Sequence, residues 1–308
     1  MHRISKLAGE AVTFILISLS ISFIPHVVFA TVVKEDNNTS CNCVVFRLDD
    51  IQDYWINDTQ IILMDAFIDK GLNLTASLIM HNIGNDSSII NKVSEGYKKG
   101  LFELGLHGWE HVNYTGLSEE EQRISLLNAN EKMQWLFGNK SDVFIPPYNE
   151  FNNGTIKAMM KVNLKVLSSS LYEEENLNQG KDIFIDKDSN NYTSTSSPTN
   201  PNVNDIEQAR SPIVYHLPAT NDFEKYQNYT WIKIPIDKIL KDTFESIDNY
   251  GYAVISLQPQ SFIKADNAGR PNFTMHEIDA HDLEDLSLII DTLLKNKVKI
   301  ASFSDIVK

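Results

Sequence analysis

The side chains in this sequence that are best suited to chemistry are two adjacent aspartates, Asp49 and Asp50, and two histidines, His107 and His111. Each pair directly follows an apolar run of strand type. A spacing of four places two imidazoles on the same side of a helical turn, where they can converge on one cation. Two neutral imidazoles and one carboxylate leave open positions for water and substrate, which is typical of a catalytic metal site. Taken alone, an aspartate pair after a strand is more typical of a turn.

The rest of the sequence predicts a scaffold that would bring the two pairs together. Strand-type runs alternate with segments of helical period, which indicates repeated β/α units around a mostly parallel sheet. Ligands bind at the carboxyl ends of such strands, so both pairs fall on one rim. Strands are predicted at Val44 to Leu48, Leu72 to Met80, Leu101 to Leu106, Val143 to Ile145, Leu164 to Leu167, Ile213 to Leu217, Trp231 to Ile234, Tyr252 to Leu257 and Val298 to Phe303. Helices are predicted at Thr59 to Lys70, Ser87 to Lys99, from the Ser118 and Glu121 capping box to Gly138, Asn153 to Val162, Ile236 to Tyr250 and Leu283 to Leu294.

The chain divides into a short leader and one large domain. Basic residues precede an apolar run within residues 1–30, and Val28-Phe29-Ala30 has the small-residue pattern of a cleavage site. We therefore predict a signal peptide, with an uncleaved membrane anchor as the alternative. Residues 31–43 are predicted to be a linker and residues 44–308 a single domain. A polar stretch at about 168–211 interrupts the β/α rhythm, which predicts a surface insertion or a loop bordering the site.

Charge and composition restrict the partners and the compartment. The formal net charge is −14, from 27 Lys plus Arg against 41 Asp plus Glu, without a basic block. Nucleic acid is therefore excluded as a partner, and a membrane is expected only through an uncleaved leader. Recurrent Asn-x-Ser/Thr sequons favour a secreted glycoprotein, although an Asn-rich chain also produces them by chance. Cys41 and Cys43 are too few for a disulfide framework, and a local disulfide and a link between chains both remain open.

Three segments resemble motifs of a known family, the polysaccharide deacetylases with the NodB-homology fold. Phe46-Arg47-Leu48-Asp49-Asp50 is similar to the first motif, His107-Gly108-Trp109-Glu110-His111 to the second, and Phe144-Ile145-Pro146-Pro147-Tyr148 to the third. Their order and separations match as well, and the resemblance spans about residues 44 to 305. It implies an α/β fold, a distorted (β/α) barrel of the NodB-homology, glycoside hydrolase/deacetylase type.

The resemblance also implies roles for individual residues. Asp50, His107 and His111 would hold a divalent metal, with Zn²⁺ expected, and Asp49 would be the general base. The chemistry is consistent, since a metal polarises an acetamide carbonyl and activates water while a neighbouring carboxylate removes the proton. The backbone at Tyr148 would help to hold the oxyanion. The alternative for Pro146-Pro147-Tyr148 is a rigid turn after a strand.

Two positions depart from the family pattern. Ile145 stands where the third motif usually has an arginine that orients the base, and Gln258 stands where a late motif usually has a histidine as general acid. Glutamine cannot donate a proton in that way. His276 or His281 could supply the acid, water could protonate the leaving group, or catalysis has been lost. His216 is a further candidate, although a core or rim histidine is the better interpretation.

These observations predict a secreted or extracytoplasmic hydrolase that removes acetyl groups from an N-acetylated carbohydrate. Substrate contacts are expected from Trp109, Pro147, Tyr148 and Gln258, while Trp231 is a further aromatic that could stack on a sugar ring. The alternative is a catalytically impaired glycan- or metal-binding protein on the same fold. A non-haem iron oxygenase would also use two histidines and one carboxylate, but it explains neither the second aspartate nor the order of the strands.

Overall fold

The computed structural model of the protein describes residues 41–170, 182–186, 192–194, 213–227, 230–264 and 277–307. The predicted leader, nearly all of the predicted linker and His276 lie outside these residues. Nowhere in the described ranges is there a helix both long and apolar enough to cross a bilayer. The domain bounds given above remain a prediction.

Most of the described strands form one large sheet. Its order is β7-β6-β8-β5-β4-β3-β2-β1-β12-β9, with β13 beside the first residues of β1. All neighbours are parallel except β6, which is antiparallel to both β7 and β8. A separate hairpin is formed by β10 and β11. The strands are β1 (Cys43–Ile51), β2 (Leu74–Leu78), β3 (Phe102–Leu106), β4 (Val143–Phe144), β5 (Val166–Leu167), β6 (Asp182–Asp186), β7 (Tyr192–Ser194), β8 (Ile213–His216), β9 (Asn221–Asp222), β10 (Glu224–Gln227), β11 (Thr230–Lys233), β12 (Tyr252–Leu257) and β13 (Lys299–Ala301).

Helices connect the parallel strands and flank the curled sheet, so the predicted α/β barrel-like class is confirmed. The helices are α1 (Asn57–Lys70), α2 (Ser87–Lys98), α3 (Glu119–Phe137), α4 (Asn153–Lys161), α5 (Ile236–Tyr250), α6 (Ala280–Lys295) and α7 (Phe303–Ile306). Helix α3 begins with the predicted capping box, in which Ser118 and Glu121 satisfy each other's backbone N–H groups. It ends at Gly138, whose φ of 82° is the left-handed conformation that glycine adopts without strain.

Strand β1 lies in the middle of the sheet, and all nine of its residues are buried. Successive side chains of a strand alternate between its two faces. Phe46 packs in the large cluster beneath the helices, where its ring lies 5.2 Å from that of Phe67. Val45 belongs instead to a smaller cluster inside the curled sheet, together with Ile145. By alternation, Arg47 shares the interior face with Val45, so this strand carries a charged side chain into the interior.

Several predicted elements differ from the structure. The 168–211 segment contains strands β6 and β7, which extend the sheet, instead of being only a loop. The predicted strand at Trp231 to Ile234 is β11, which pairs with β10 outside the large sheet. The last predicted strand ends at Ala301, because the backbone N–H groups of Phe303 and Ser304 donate to the carboxylate of Glu103 and begin a helix instead.

Candidate metal-dependent active site

The end of β1 breaks the regular alternation of its side chains. Asp50 has a φ of 61°, in the left-handed region, and the pairing of β1 with β2 shifts register between Leu48 and Ile51. Such a bulge redirects a side chain at the end of a strand. As a result, the adjacent carboxylates of Asp49 and Asp50 both interact electrostatically with His107.

The loop after β3 carries the two histidines. The sequence predicts that they share a helical turn, and this prediction is wrong, since residues 107–111 are not helical. Gly108 has a φ of 84°, and a Cβ at that position would lie 2.9 Å from the carbonyl oxygen of Glu110. The tight turn nevertheless brings the rings of His107 and His111 to 5.2 Å between centroids. Convergence is therefore achieved by a glycine turn in place of a helix.

Asp50, His107 and His111 form a compact set of potential metal ligands. The Oδ1 atom of Asp50 lies 3.2 Å from Nε2 of each histidine. Two donor atoms 3.2 Å apart can both reach an ion at about 2.1 Å, the usual Zn–N and Zn–O length. Across the described residues, this is the one group of three His, Cys, Asp or Glu side chains close enough to share an ion. The donor set fits a divalent metal ion.

A hydrogen bond orients His107, and the two imidazoles keep Asp50 ionised. Nδ1 of His107 lies 2.8 Å from the carbonyl oxygen of Ile145. A carbonyl only accepts, so Nδ1 carries a proton and Nε2 is the nitrogen left for a metal. Burial opposes ionisation of Asp50, but the imidazoles of His107 and His111 outweigh it and hold the pKa of the carboxyl well below its usual range. Asp50 therefore contributes a negative charge to the set of potential ligands.

Asp49 lies beside the triad without belonging to it. Its carboxylate is 2% exposed. Its Oδ2 atom lies 3.2 Å from Nε of Arg47 and accepts a hydrogen bond of 3.3 Å from the Ser256 hydroxyl. Burial raises the pKa of Asp49 above its usual value, and the positive charge of Arg47 opposes that effect. A buried carboxylate next to a metal site is suited to accept a proton from a bound water.

Arg47 is a site residue that the motifs did not assign. Its side chain is fully buried, and Nη1 donates to the carbonyl and hydroxyl oxygens of Ser168 at 2.7 and 3.0 Å. Nη2 donates to Oδ1 of Asn149 at 2.5 Å. The sequence signal for it is an arginine inside an apolar strand, two residues before an aspartate on the same face.

The third motif forms a turn next to His111. Pro147 is buried and begins the 3₁₀ turn Pro147–Asn149, while Tyr148 has a φ of 60° and is 61% exposed. The Tyr148 ring lies 4.7 Å from the His111 ring. Trp109 is half-buried, and the Lys132 ammonium lies 5.5 Å from its ring centroid. Sugar contacts by Trp109, Pro147 and Tyr148 remain predictions, and Tyr148 is the most accessible of the three.

The segment after β12 places two glutamines near Asp50. Nε2 of Gln260 donates to Oδ2 of Asp50 at 3.3 Å and to Oε1 of Gln258 at 2.9 Å. Gln260 therefore orients the metal-ligating carboxylate, a contact that the sequence did not reveal. Gln258, at the position where a general acid was expected, lies one amide further from Asp50 along this chain of hydrogen bonds.

Within the described residues, neither His281 nor His216 contacts the triad. His281 lies on the surface with its side chain 80% exposed, and its Nδ1 lies 3.3 Å from Oδ1 of Asp285. His276 lies outside the described residues. His216 is buried, with its Nε2 atom 2.8 Å from the Ser169 hydroxyl, as expected of a core histidine. The assignment of the general acid to His276 or His281 stays a prediction.

The fold and the site together define a class: a β/α protein with a curled sheet and a candidate metal site, of two histidines and one aspartate, at the carboxyl ends of β1 and β3. The family model described as polysaccharide deacetylase matches residues 36–167. Residues 36–167 therefore match the polysaccharide deacetylase family, and the resemblance seen in the motifs is confirmed. No curated protein matches the chain in sequence.

Three solved structures resemble this chain. A peptidoglycan N-acetylglucosamine deacetylase in complex with a benzamide ligand is 14% identical, with a TM-score of 0.52 over 86% of this chain and 87% of its own. A mutant of a CE4 family pseudoenzyme from Bacillus anthracis, with restored enzymatic activity, is 13% identical, with a TM-score of 0.50 over 87% and 68%. A 4-alpha-glucanotransferase from Thermococcus litoralis is 9% identical, with a TM-score of 0.54 over 86% and 39%. These likenesses concern the fold alone.

Proposed function

We propose that the protein is a metal-dependent hydrolase that removes acetyl groups from an N-acetylated carbohydrate. The observation that carries this proposal is the convergence of Asp50, His107 and His111 at 3.2 Å with the carboxylate of Asp49 beside them. Zn²⁺ is the proposed metal, since one carboxylate and two imidazoles form a typical zinc ligand set with positions left for water and substrate. The family match of residues 36–167 supports the reaction class.

In the proposed reaction, Asp50, His107 and His111 would hold the divalent ion, and the ion would supply polarisation of the amide carbonyl and a lowered pKa for the attacking water. Asp49 accepts the proton of that water as attack begins, because its carboxylate is not among the ligands and remains available as a base. Asp50 stays ionised and faces both histidines through one oxygen. Asp49 and Asp50 are adjacent but can act as base and as ligand, respectively, because their environments differ.

The substrate approaches from the side of Tyr148. This residue is exposed and lies over His111, so a sugar ring can reach the metal-binding residues past it. The backbone N–H at Tyr148 is proposed to donate to the developing oxyanion, and such a donor is worth about 3 kcal/mol in other enzymes. Trp109, Pro147 and Gln258 are the further proposed substrate contacts. The solved relative that acts on peptidoglycan suggests an N-acetylglucosamine polymer as the first substrate to test.

Protonation of the leaving amine completes the reaction. His276 or His281 is proposed to supply this proton, and the exposed position of His281 leaves water as the alternative donor. Replacing His276 and His281 by glutamine, one at a time in the full-length chain, distinguishes these three donors. A fall in kcat of about 10²-fold or more identifies the acid, and two unchanged variants indicate protonation by solvent.

The proposed reaction takes place outside the cytoplasm. Arg3 and Lys6 precede an apolar run in the leader. A disulfide between Cys41 and Cys43 agrees with an oxidising compartment. Sequencing the N-terminus of exported protein tests this part of the proposal: Thr31 as the first residue indicates cleavage after Ala30, and recovery of the protein only from the cytoplasm contradicts export.

Acetate release tests the central proposal. Full-length protein with Zn²⁺ should release acetate from N-acetylglucosamine oligomers, and a chelator should abolish the release. Asp49→Asn should lower kcat by about 10² to 10⁴-fold, because general base catalysis contributes that much. Asp248→Asn, an exposed position on helix α5, is the matched control and should be unchanged. A protein that binds Zn²⁺ and releases no acetate from any acetylated sugar would contradict the proposal.

A catalytically impaired glycan-binding protein is the second candidate. The observation that favours it is Gln258, whose side-chain oxygen accepts from Gln260 at a position where a proton donor was expected. The variant Gln258→His separates the two candidates. A large gain in acetate release indicates an enzyme that has lost its acid, whereas an unchanged rate indicates that the proton comes from another group.

A further inference from the structure

The least exposed charged group near the candidate site is the guanidinium of Arg47. Its side chain has no exposed surface, in contrast to the metal ligand His111, which is one-third exposed. A fully buried charge is unfavourable unless it is paired and hydrogen-bonded. For stability alone, an apolar side chain of similar volume would serve as well or better at such a position. The guanidinium therefore needs an explanation other than packing.

The contacts of Arg47 fix its orientation. Its two Nη atoms are held by Ser168, which follows β5, and by Asn149 in the turn after β4. Arginine has a rigid planar fork, so anchoring the two Nη atoms also determines where Nε points. Nε lies 3.2 Å from Oδ2 of Asp49. The side chain thus spans the interior from β1 to two other strands and holds its Nε atom in ion-pair contact with the proposed base, without an aligned hydrogen bond.

The position of the arginine is the unexpected feature. Family members usually carry a base-orienting arginine at the position of Ile145, which here is fully buried in the same interior cluster as Val45. Val45 lies two residues before Arg47 on the same face of β1. The interior face therefore holds an arginine on β1 and an isoleucine after β4, and the guanidinium reaches the base from β1.

We propose that Arg47 is the positioning residue for Asp49, replacing from strand β1 the arginine that is absent at Ile145. This inference rests on the proposed function for its kinetic consequences. Arg47 does not touch the substrate; it acts by fixing one carboxylate oxygen, with Ser256 as the second contact to the same oxygen. The other oxygen, Oδ1, is buried, has no hydrogen-bond partner among the described residues, and is left to receive the proton.

Arg47→Lys tests the proposal in the full-length protein. Lysine keeps the charge, but one ammonium cannot hold Ser168, Asn149 and Asp49 together. We expect kcat to fall about 10 to 100-fold, the usual effect of losing a residue that orients an active-site group. KM and the Kd for Zn²⁺, measured by calorimetry, should change less than about twofold, because the ligands and substrate contacts stay in place. A crystal structure of the variant should have the Asp49 carboxylate displaced and the triad unchanged.

Asn149→Gly is a milder test that avoids a buried substitution. Asn149 has a φ of 57°, which glycine adopts without strain, so the change removes only the acceptor of Nη2. It should lower kcat in the same direction as Arg47→Lys. Asn163→Gly, at a φ of 61° and an exposed position, is the matched control and should leave kcat unchanged.

The outcomes separate this inference from the proposed function. An Arg47→Lys variant with unchanged kcat, or a variant crystal structure in which Asp49 has not moved, would overturn the role of Arg47. If the unaltered protein binds Zn²⁺ but releases no acetate, the proposed function fails. The position of Asp49 in the Arg47→Lys crystal structure then still decides whether the arginine positions it.

Discussion

The glycine turn between the two histidines makes a strong prediction about stability and metal binding. Gly108 has a φ of 84°, and an added Cβ would meet the carbonyl oxygen of Glu110 at 2.9 Å and the hydroxyl of Tyr114 at 3.0 Å. Neither neighbour can move easily. The first is backbone, and Tyr114 is fully buried with its hydroxyl 2.6 Å from that of Ser125. Gly108→Ala therefore combines backbone strain with steric overlap.

A matched glycine separates these two effects. Gly138, at the end of helix α3, has a φ of 82°, and a Cβ there would meet no heavy atom within 4 Å. Gly138→Ala should cost about 1 to 2 kcal/mol of unfolding free energy, the usual penalty for a left-handed alanine. Gly108→Ala should cost that amount plus about 1 to 3 kcal/mol for overpacking, or about 2 to 5 kcal/mol in total.

Urea unfolding in the absence of metal measures both costs, and calorimetry with Zn²⁺ measures the consequence for the site. A displaced turn separates His107 from His111, so Gly108→Ala should bind Zn²⁺ more weakly while Gly138→Ala binds it normally. Equal losses of unfolding free energy in the two variants, together with an unchanged Kd for Zn²⁺ in Gly108→Ala, would refute the reasoning.

Three further predictions follow from single contacts. Gln260→Met removes the amide that orients Asp50 and should weaken Zn²⁺ binding about 10-fold or more by calorimetry, with an unchanged Kd counting against the contact. Burial raises the pKa of Glu103 above its ordinary 4.5, so the folded state holds this proton more tightly than the unfolded state does. The unfolding free energy should therefore fall as the pH rises from about 4.5 through the raised pKa, by at most about 1.4 kcal/mol per pH unit, and urea titrations of Glu103→Gln should lack this part of the slope. Reduction of the disulfide between Cys41 and Cys43, which closes a very short loop, should lower the unfolding free energy by no more than about 2 kcal/mol, as judged from urea midpoints with and without a reductant.

The convergence of the candidate metal ligands could be predicted from the sequence because it depends on a general property of parallel sheets. Asp50 is the last residue but one of β1 and His107 directly follows β3, so both lie at carboxyl ends of strands. The local geometry could not be predicted in the same way. A spacing of four residues suggested a helical turn, whereas Gly108 closes a tighter one. Several backbone paths bring two side chains together, and the spacing does not distinguish among them.

The surroundings of Asp49 were harder to predict because they are assembled from distant parts of the chain. Arg47 contacts Ser168, which is 121 residues away, and Asn149, which is 102 residues away. An arginine inside an apolar strand was visible in the sequence, but its partners depend on how the sheet curls. Trp231 is a related case, since its strand has the right composition yet, within the described residues, pairs with β10 and not with the large sheet. Composition identifies a strand without specifying its neighbour.

The left-handed backbone at Asp50 also limits how this protein can change over time. Aspartate, asparagine, histidine and glycine tolerate that conformation better than other residues do. Exchange for glutamate, the other carboxylate ligand, would meet backbone strain before any question of coordination arose. The asparagine form folds with little strain but lacks the negative charge. Mutation at this position therefore leads more easily to a well-folded protein with a weakened candidate metal site than to one with glutamate as the ligand.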